Sequence, residues 1–465
     1  MRIIFINRVC TVLFLTFLPA LLLSGCFMGL FDGEKKGSPP ETGMTALPDD
    51  KVKPAATHLQ DEKSAAEMKK NRPASLPRER LLSQLLDLKN PENLMPLASP
   101  ESSRSRPRSG VSKSDTTGAT RNDVPARSPD FSYRDGILTE DTTWYGDVLI
   151  EGGLTIAPQT TLTVKNGTVV RFRESRRSTA HGVLMVQGRI VVNGTANKPA
   201  IFSAFDENGA AAGWQGIVLM GSGKKNLIEH CRVEGAETGL DASFSNVTLK
   251  NAFFGRCRTG VRMQDSLAVM SGSAFGECGS GLVLYDCEAD IRSADFYGNR
   301  LGIFAARSSL ALSDSRLSGN NLLALKADSC RLGISGNGFI ANGSGLCLVA
   351  SEGAVTANRI AQSAAYGLIL TQSRVKVSAN DIERNSRVGL LVEDGKGVAW
   401  GNLLFANGGY DLYNGGTEDF RAIGNWWGGA VADPAGRIYD RNLDDRRGRV
   451  LYLPILQTRP LPVAP

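Results

Sequence analysis

The stretch CGSGLVLYDC occupies residues 278–287. Gly281 opens a short alternating run, Leu282-Val283-Leu284, and a turn follows at Tyr285-Asp286, with a cysteine at each end. Read alone, it suggests a small redox or metal loop. Read along the chain, it is one unit of a repeat. Gly239-Leu240, Gly260-Val261, Gly281-Leu282 and Gly302-Ile303 stand 21 residues apart. Leu323-Ala324 falls at the next 21, then Gly345-Leu346, Gly367-Leu368, Gly389-Leu390 and Asp411-Leu412 follow in steps of 22. A second apolar column keeps this phase through Val233, Phe254, Phe275, Phe296, Leu317, Phe339, Ile360, Ile382 and Leu404. A third runs through Ile228, Leu249, Met270, Ile291, Leu312, Ile334, Val355 and Val377.

Within each unit the apolar residues are two apart, the period of a strand, and Gly, Asn, Asp and Ser punctuate them. A unit of this length cannot bury its own core, but stacked units can, each strand pairing with its equivalent one coil up. The pattern predicts an all-β parallel solenoid, right-handed because parallel crossovers almost always are. It resembles the right-handed parallel β-helix repeat family, also called pectin-lyase-like, from about Gly146 to Gly429. Alternating runs before the regular repeats, such as GDVLIEGGLTIAPQTTLTVKNGTVVRF from 146, bring the expectation to about twelve coils and a length of about 55–60 Å. Asn425-Trp426-Trp427-Gly428 and the Asp-rich turns after it resemble the terminal element of this family and predict a plug over the last coil, with one ring left exposed. The expected domains are a β-helix over 131–430 and a C-terminal cap over 431–465.

At the other end, Arg2 and Arg8 precede an apolar run from Val9 to Leu23, too short for a comfortable membrane span and suited to a signal peptide over 1–25. Leu23-Ser24-Gly25-Cys26 resembles the lipobox of bacterial lipoproteins. That resemblance implies cleavage before Cys26, lipidation there and a membrane partner. Phe27 after it, rather than Asp, implies the outer membrane of the cell envelope. Residues 26–130 are rich in Pro, Ser and charge and lack aromatics after Phe31, which predicts a disordered tether. One island, RERLLSQLLDLKN (78–90), places Leu81, Leu82, Leu85, Leu86 and Leu88 on one helical face between Pro77 and Pro91. This short helix either lies on the folded domain or docks a partner. The basic run SRSRPRSG (103–110) reads as solvated linker.

The formal charge of +6 is mild, and no basic stripe with interleaved aromatics suggests a nucleic-acid partner. Past Cys10 and Cys26, the six cysteines at 231, 257, 278, 287, 330 and 347 follow the repeat and lack metal-ligand spacing. Cys257 and Cys278 share a column with Asn299, Asn320 and Asn342, so reduced, buried thiols are expected. Cys287 reads as a position not otherwise kept for cysteine. His230 in IEHCRV stands where later coils have no histidine, and reads as an outward coil residue. Asp265, Asp286 and Asp328 with Arg307 read as a solvated charge ladder rather than a calcium site. No catalytic set, metal site or cofactor motif is legible. Tyr366 and Tyr410, just before column glycines, are expected to project outward and, with Trp427, are the candidate surface-binding residues.

Three functions fit. The main expectation is a lipid-anchored envelope protein whose rigid rod presents a binding or scaffolding surface, for polysaccharide or another envelope protein, without catalysis. The alternative is a polysaccharide lyase or glycoside hydrolase on the same scaffold. The third, a metal-cofactor maturation factor, lacks Cys, His and Met clusters. One observation discriminates: three or more carboxylates and a basic residue converging in a cleft favour the enzyme.

Overall fold

The computed structural model describes residues 80–97, 128–174, 181–205, 214–429 and 433–461. The signal segment, Cys26, the tether up to residue 79 and its stretch 98–127, with the basic run 103–110, lie outside the described residues. The described residues fall within one compact unit, Leu76–Pro465.

Each regular coil has three strands. In the coil of the opening stretch they are Ser280–Tyr285, Glu288–Arg292 and Asp295–Tyr297. All three pair in parallel with their equivalents 21 residues away on both sides. Strands like the first form a long ladder, those like the second a middle ladder, and those like the third a short ladder. The middle ladder alone holds 14 strands, and the solenoid has about 13 turns. Strands Ile438–Tyr439 and Val450–Leu451 still extend the long and middle ladders, so β-pairing continues past residue 430.

The three apolar columns point inward. Leu282, Leu284, Ile291 and Phe296 are fully buried. Phe254, Phe275 and Phe296 stack along the axis at 5.6 and 4.6 Å between centroids, nearly coplanar. The column glycine has a steric cause: a Cβ on Gly281 would sit 2.7 Å from the Gly302 carbonyl oxygen of the next coil.

In the regular coils, from Gly221 to Ala406, each corner turns on one left-handed residue, in the coil of the opening stretch Asp286 (φ 54°), Ser293 (φ 51°) and Gly298 (φ 64°). The residue after it carries a ladder of side-chain hydrogen bonds up the stack. At one corner the Asn337 amide N–H donates to Asn358 Oδ1 at 2.9 Å, while Asn358 Nδ2 donates to the Ile334 carbonyl at 2.9 Å. At another, the N–H groups of Cys287, Ser308, Cys330 and Ser351 reach Ser308 Oγ, Cys330 Sγ, Ser351 Oγ and Ser373 Oγ in turn. Cys287 and Cys330 thus stand in for serine in one ladder, which corrects the expectation that the Cys287 position is not otherwise kept for cysteine. All six β-helix cysteines are free and buried. Burial pushes the Cys287 thiol up to about 11 and the Cys347 thiol up to about 12.

A second apolar cluster lies outside the solenoid. On the long ladder the residue between the two inward ones faces out, and from Val283 this row reads Phe304, Lys326, Cys347, Ile369, Leu391 and Tyr413. A strap made of helix α1 (Arg80–Leu86), a 3-10 turn (Pro91–Asn93) and the residues between them covers it. Leu82 and Leu85 are buried in this cluster with Tyr366, Tyr410 and Tyr439. Lys326, wholly buried, donates from Nζ to the Leu85 and Leu86 carbonyls at 2.6 and 2.5 Å, ending the helix. Ser280 Oγ donates to the Pro91 carbonyl at 2.6 Å.

These contacts correct the aromatic expectations. Tyr366 and Tyr410 face away from the solenoid axis but are only 2% and 5% exposed. Tyr366 is sealed into the strap-side cluster, and Tyr410 packs against the Tyr413 and Tyr439 rings. Trp427 is 5% exposed and closes the core at the last coil. Trp426 is also buried, edge-on to Phe405 and under the Arg459 guanidinium, so neither ring of the pair is left free.

Candidate active site

The apolar footprint of the strap ends below Val283. One and two coils down, the same outward row carries Arg262 and Asp241, and below them Val218. The strap turns away here through Pro91–Asn93. A pocket of about 350 Å³ opens where it leaves the coils. Its walls are Glu92 and Asn93 from the strap, and Gln215, Val218, Glu237, Thr238, Asp241, Arg258, Thr259 and Arg262 from the coils.

Three carboxylates and two guanidinium groups therefore share one cleft. Arg262 grips Asp241 with two hydrogen bonds, Nε to Oδ1 at 3.0 Å and Nη2 to Oδ2 at 2.6 Å. The two residues are in register on adjacent strands, which is why the fork fits. Arg258 pairs with Glu237 by the same one-coil step. Tyr285 donates its hydroxyl to Glu92 Oε2 at 3.1 Å. Burial, then the Glu92 charge, holds the Tyr285 phenol well above its ordinary pKa, so it stays a donor. The hydrogen bonds to Asp241 raise Arg262 further above its ordinary value. Arg258 Nε is buried and has no acceptor.

Such a cleft offers acceptors and donors side by side, oriented by their own pairing, which suits the mixed hydroxyls of a sugar ring. It also supplies carboxylates, the groups that act as acid, base or nucleophile at a glycosidic bond. Among the described residues no group of three or more His, Cys, Asp or Glu side chains is placed to hold a metal ion.

Of the residues singled out in the sequence, Cys26 lies outside the described residues, and the structure does not bring Tyr366, Tyr410 and Trp427 to a common surface. Asp286 and Arg307 form an exposed bidentate pair at 2.8 and 2.6 Å, and Arg307 holds the Asp286 carboxyl below its usual range. His230 occupies a left-handed turn position beside Asn251. The pocket residues themselves escaped notice. The legible signal was Asp241 followed by Arg262 in a row that is otherwise largely apolar. Glu92 carries no such signal, since it reaches Tyr285 across 193 residues of chain.

Two family models match the chain: a right handed beta helix region over residues 280–426 and a pectate-lyase like beta helix domain over residues 136–244. The chain thus carries right-handed parallel β-helix domains of the pectate-lyase-like kind. No curated protein matches it in sequence. Among solved structures it is similar to the periplasmic alginate epimerase AlgG, at 14% identity and TM-score 0.34, over 66% of this chain and 77% of that one. It is also similar to the catalytic unit of a GH87 alpha-1,3-glucanase from Streptomyces thermodiastaticus, at 11% identity and TM-score 0.38, over 61% and 63%. A third likeness is to an alginate lyase from Paenibacillus sp., at 14% identity and TM-score 0.29, over 63% and 93%. Likeness this distant says nothing about the chemistry of this chain.

Proposed function

We propose that the protein acts on a polysaccharide at the strap pocket, cleaving a glycosidic linkage. The observation that carries this reading is the convergence of Glu92, Glu237 and Asp241 with Arg258 and Arg262 in one cleft. A scaffold that only presents its surface has no need of such a set. In this reading Asp241 and Glu237 face the scissile unit, Arg262 and Arg258 fix their orientation, and the arginine N–H groups left over hold the sugar. The strap supplies the third carboxylate, so the site is complete only when the strap is seated. The Cys26 motif supports an envelope setting for this activity.

The test is a screen of the purified protein against acidic and neutral polysaccharides. New reducing ends would report hydrolysis, and ultraviolet absorbance of unsaturated products would report β-elimination. Product is expected from at least one polymer, and Asp241→Asn is expected to lower the rate at least about 100-fold, the scale on which a positioned acid or base acts. The melting temperature should change little. No product from any polymer with a folded protein, or product insensitive to both Asp241→Asn and Glu237→Gln, would overturn the reading.

A further inference from the structure

A second concave surface lies elsewhere on the rod. It runs along the corner between the long and middle ladders, centred about four coils above Arg262, or roughly 19 Å along the axis. Its volume is about 740 Å³. Arg307, Arg331, Arg374 and Lys396 line it, against two carboxylates, Glu352 and Asp394. The floor is small: Ser308, Cys330, Ser351 and Ser373 belong to the corner ladder, and Ala350 stands in the turn.

The charges are arranged by the coil repeat. Arg331, Glu352 and Arg374 are in register on successive strands, and Lys396 comes one coil further on. Arg331 leans on Glu352 at 3.4 Å, and Arg307 is taken up by Asp286. Arg374 and Lys396 have no carboxylate partner among the described residues. Glu352 is in register with Arg374 and Asp394 lines the same groove, but neither closes an ion pair with these two cations, which stay free to meet a ligand.

A third feature lies on the same face. Trp400 is 53% exposed. It sits in register with Ser378, at the top of an outward row that is otherwise Ser313, Ser335, Thr356 and Ser378. Four residues of strand separate this row from that of Arg374, about 13 Å. About half of the Trp400 surface is open above these small hydroxyl side chains. Its flat face suits the C–H face of a sugar ring.

We propose that this groove, with Trp400 as its platform, is a second binding site that holds an acidic polysaccharide along the rod. Its chemistry needs anionic groups, carboxylate or sulfate, repeating along an extended chain. The coil rise of about 4.8 Å is comparable to the advance of one sugar ring, so neighbouring coils meet neighbouring rings. A nucleic acid would call for an unbroken basic track with several stacking aromatics, and here Glu352 and Asp394 interrupt the track and one aromatic stands alone. The proposal goes beyond the pocket reading and does not depend on it.

The experiment is affinity electrophoresis and calorimetry on the full chain at low and moderate salt. The probes are polygalacturonate, dextran sulfate, neutral dextran and a single-stranded oligodeoxynucleotide. Binding is expected to one or both acidic polymers and not to dextran, weakening as salt rises. The two acidic probes tell a uronate from a sulfate preference. Arg374→Ala with Lys396→Ala should weaken binding at least tenfold and flatten the salt dependence. Trp400→Ala should weaken binding without changing the salt dependence. Melting curves of the variants, expected to be unchanged, exclude loss of fold. The groove variants leave the pocket intact, so cleavage of short oligosaccharides should persist in them. That separates failure of this proposal from failure of the pocket reading. Equal binding to dextran, equal or tighter binding to the oligonucleotide, or a double variant that binds like the parent would overturn it.

Discussion

Asn358 shows how one side chain serves two coils. Its Oδ1 accepts the Asn337 amide N–H from below, and its Nδ2 donates to the Ile334 carbonyl. Buried corners would otherwise leave polar backbone groups unpaired, at about 1–3 kcal/mol each. The Asn column beside the glycines was legible because its phase matched the apolar columns. The Ser/Cys column was not, because serine, cysteine and asparagine look unrelated until the geometry makes them equivalent. Asp381 breaks this pattern of satisfaction. It is buried on the outer face of the short ladder, Oδ1 has no partner, and Glu383 lies two residues on, with Arg359, Arg384 and Arg459 nearby. Burial, then the Glu383 charge, raises its pKa above 3.8. Between that ordinary value and the raised one, the folded chain keeps a proton that the unfolded chain has lost. Stability therefore falls as pH rises through the window, and the loss is absent below it. Asp381→Asn removes the titrating group. Its melting temperature, relative to the parent, should rise more at about pH 7 than at about pH 4. A difference that does not change with pH would refute this account.

At the scale of elements, the strap is the least legible part of the structure. Its helical pattern was clear, and five leucines on one face predicted an apolar seat. The location of that seat was not predictable, because the long-ladder row that receives it alternates with the core row and faces away from the core. Gly279 and Ser280, in the opening stretch, serve this contact. A Cβ on Gly279 would collide with the Leu94 carbonyl, and Ser280 bonds to Pro91. A seven-residue helix is unstable alone, so it depends on its packing. Leu82→Asp with Leu85→Asp would put two carboxylates into an apolar contact. The expected result is rapid amide exchange and proteolysis across residues 80–97, with the coils still protected. The buried tyrosines would be exposed, and a hydrophobic dye should bind. Since Glu92 rides on the strap, activity at the pocket should fall with it. Unchanged protection of 80–97 would show that the leucines do not hold the strap.

At the scale of the whole molecule, the strap changes what the long N-terminal segment can do. If the chain were free up to Phe131, about 100 flexible residues would allow an r.m.s. span of roughly 50–60 Å. With residues 80–94 seated on the side of the rod, a tether as flexible as the composition predicts would be about half that length, with a span of roughly 40 Å. It also arrives at the flank of the stack rather than at its first coil. Anchoring of such a chain at Cys26 would rest on lipidation, which several acyl chains would make stable. In a bacterial host, Cys26→Ala should abolish labelling by a fatty-acid analogue and move the protein from the membrane to the soluble fraction. The strap variant should remain in the membrane fraction. Unchanged fractionation of Cys26→Ala would remove the anchor, and would leave the pocket and the groove as properties of a free rod.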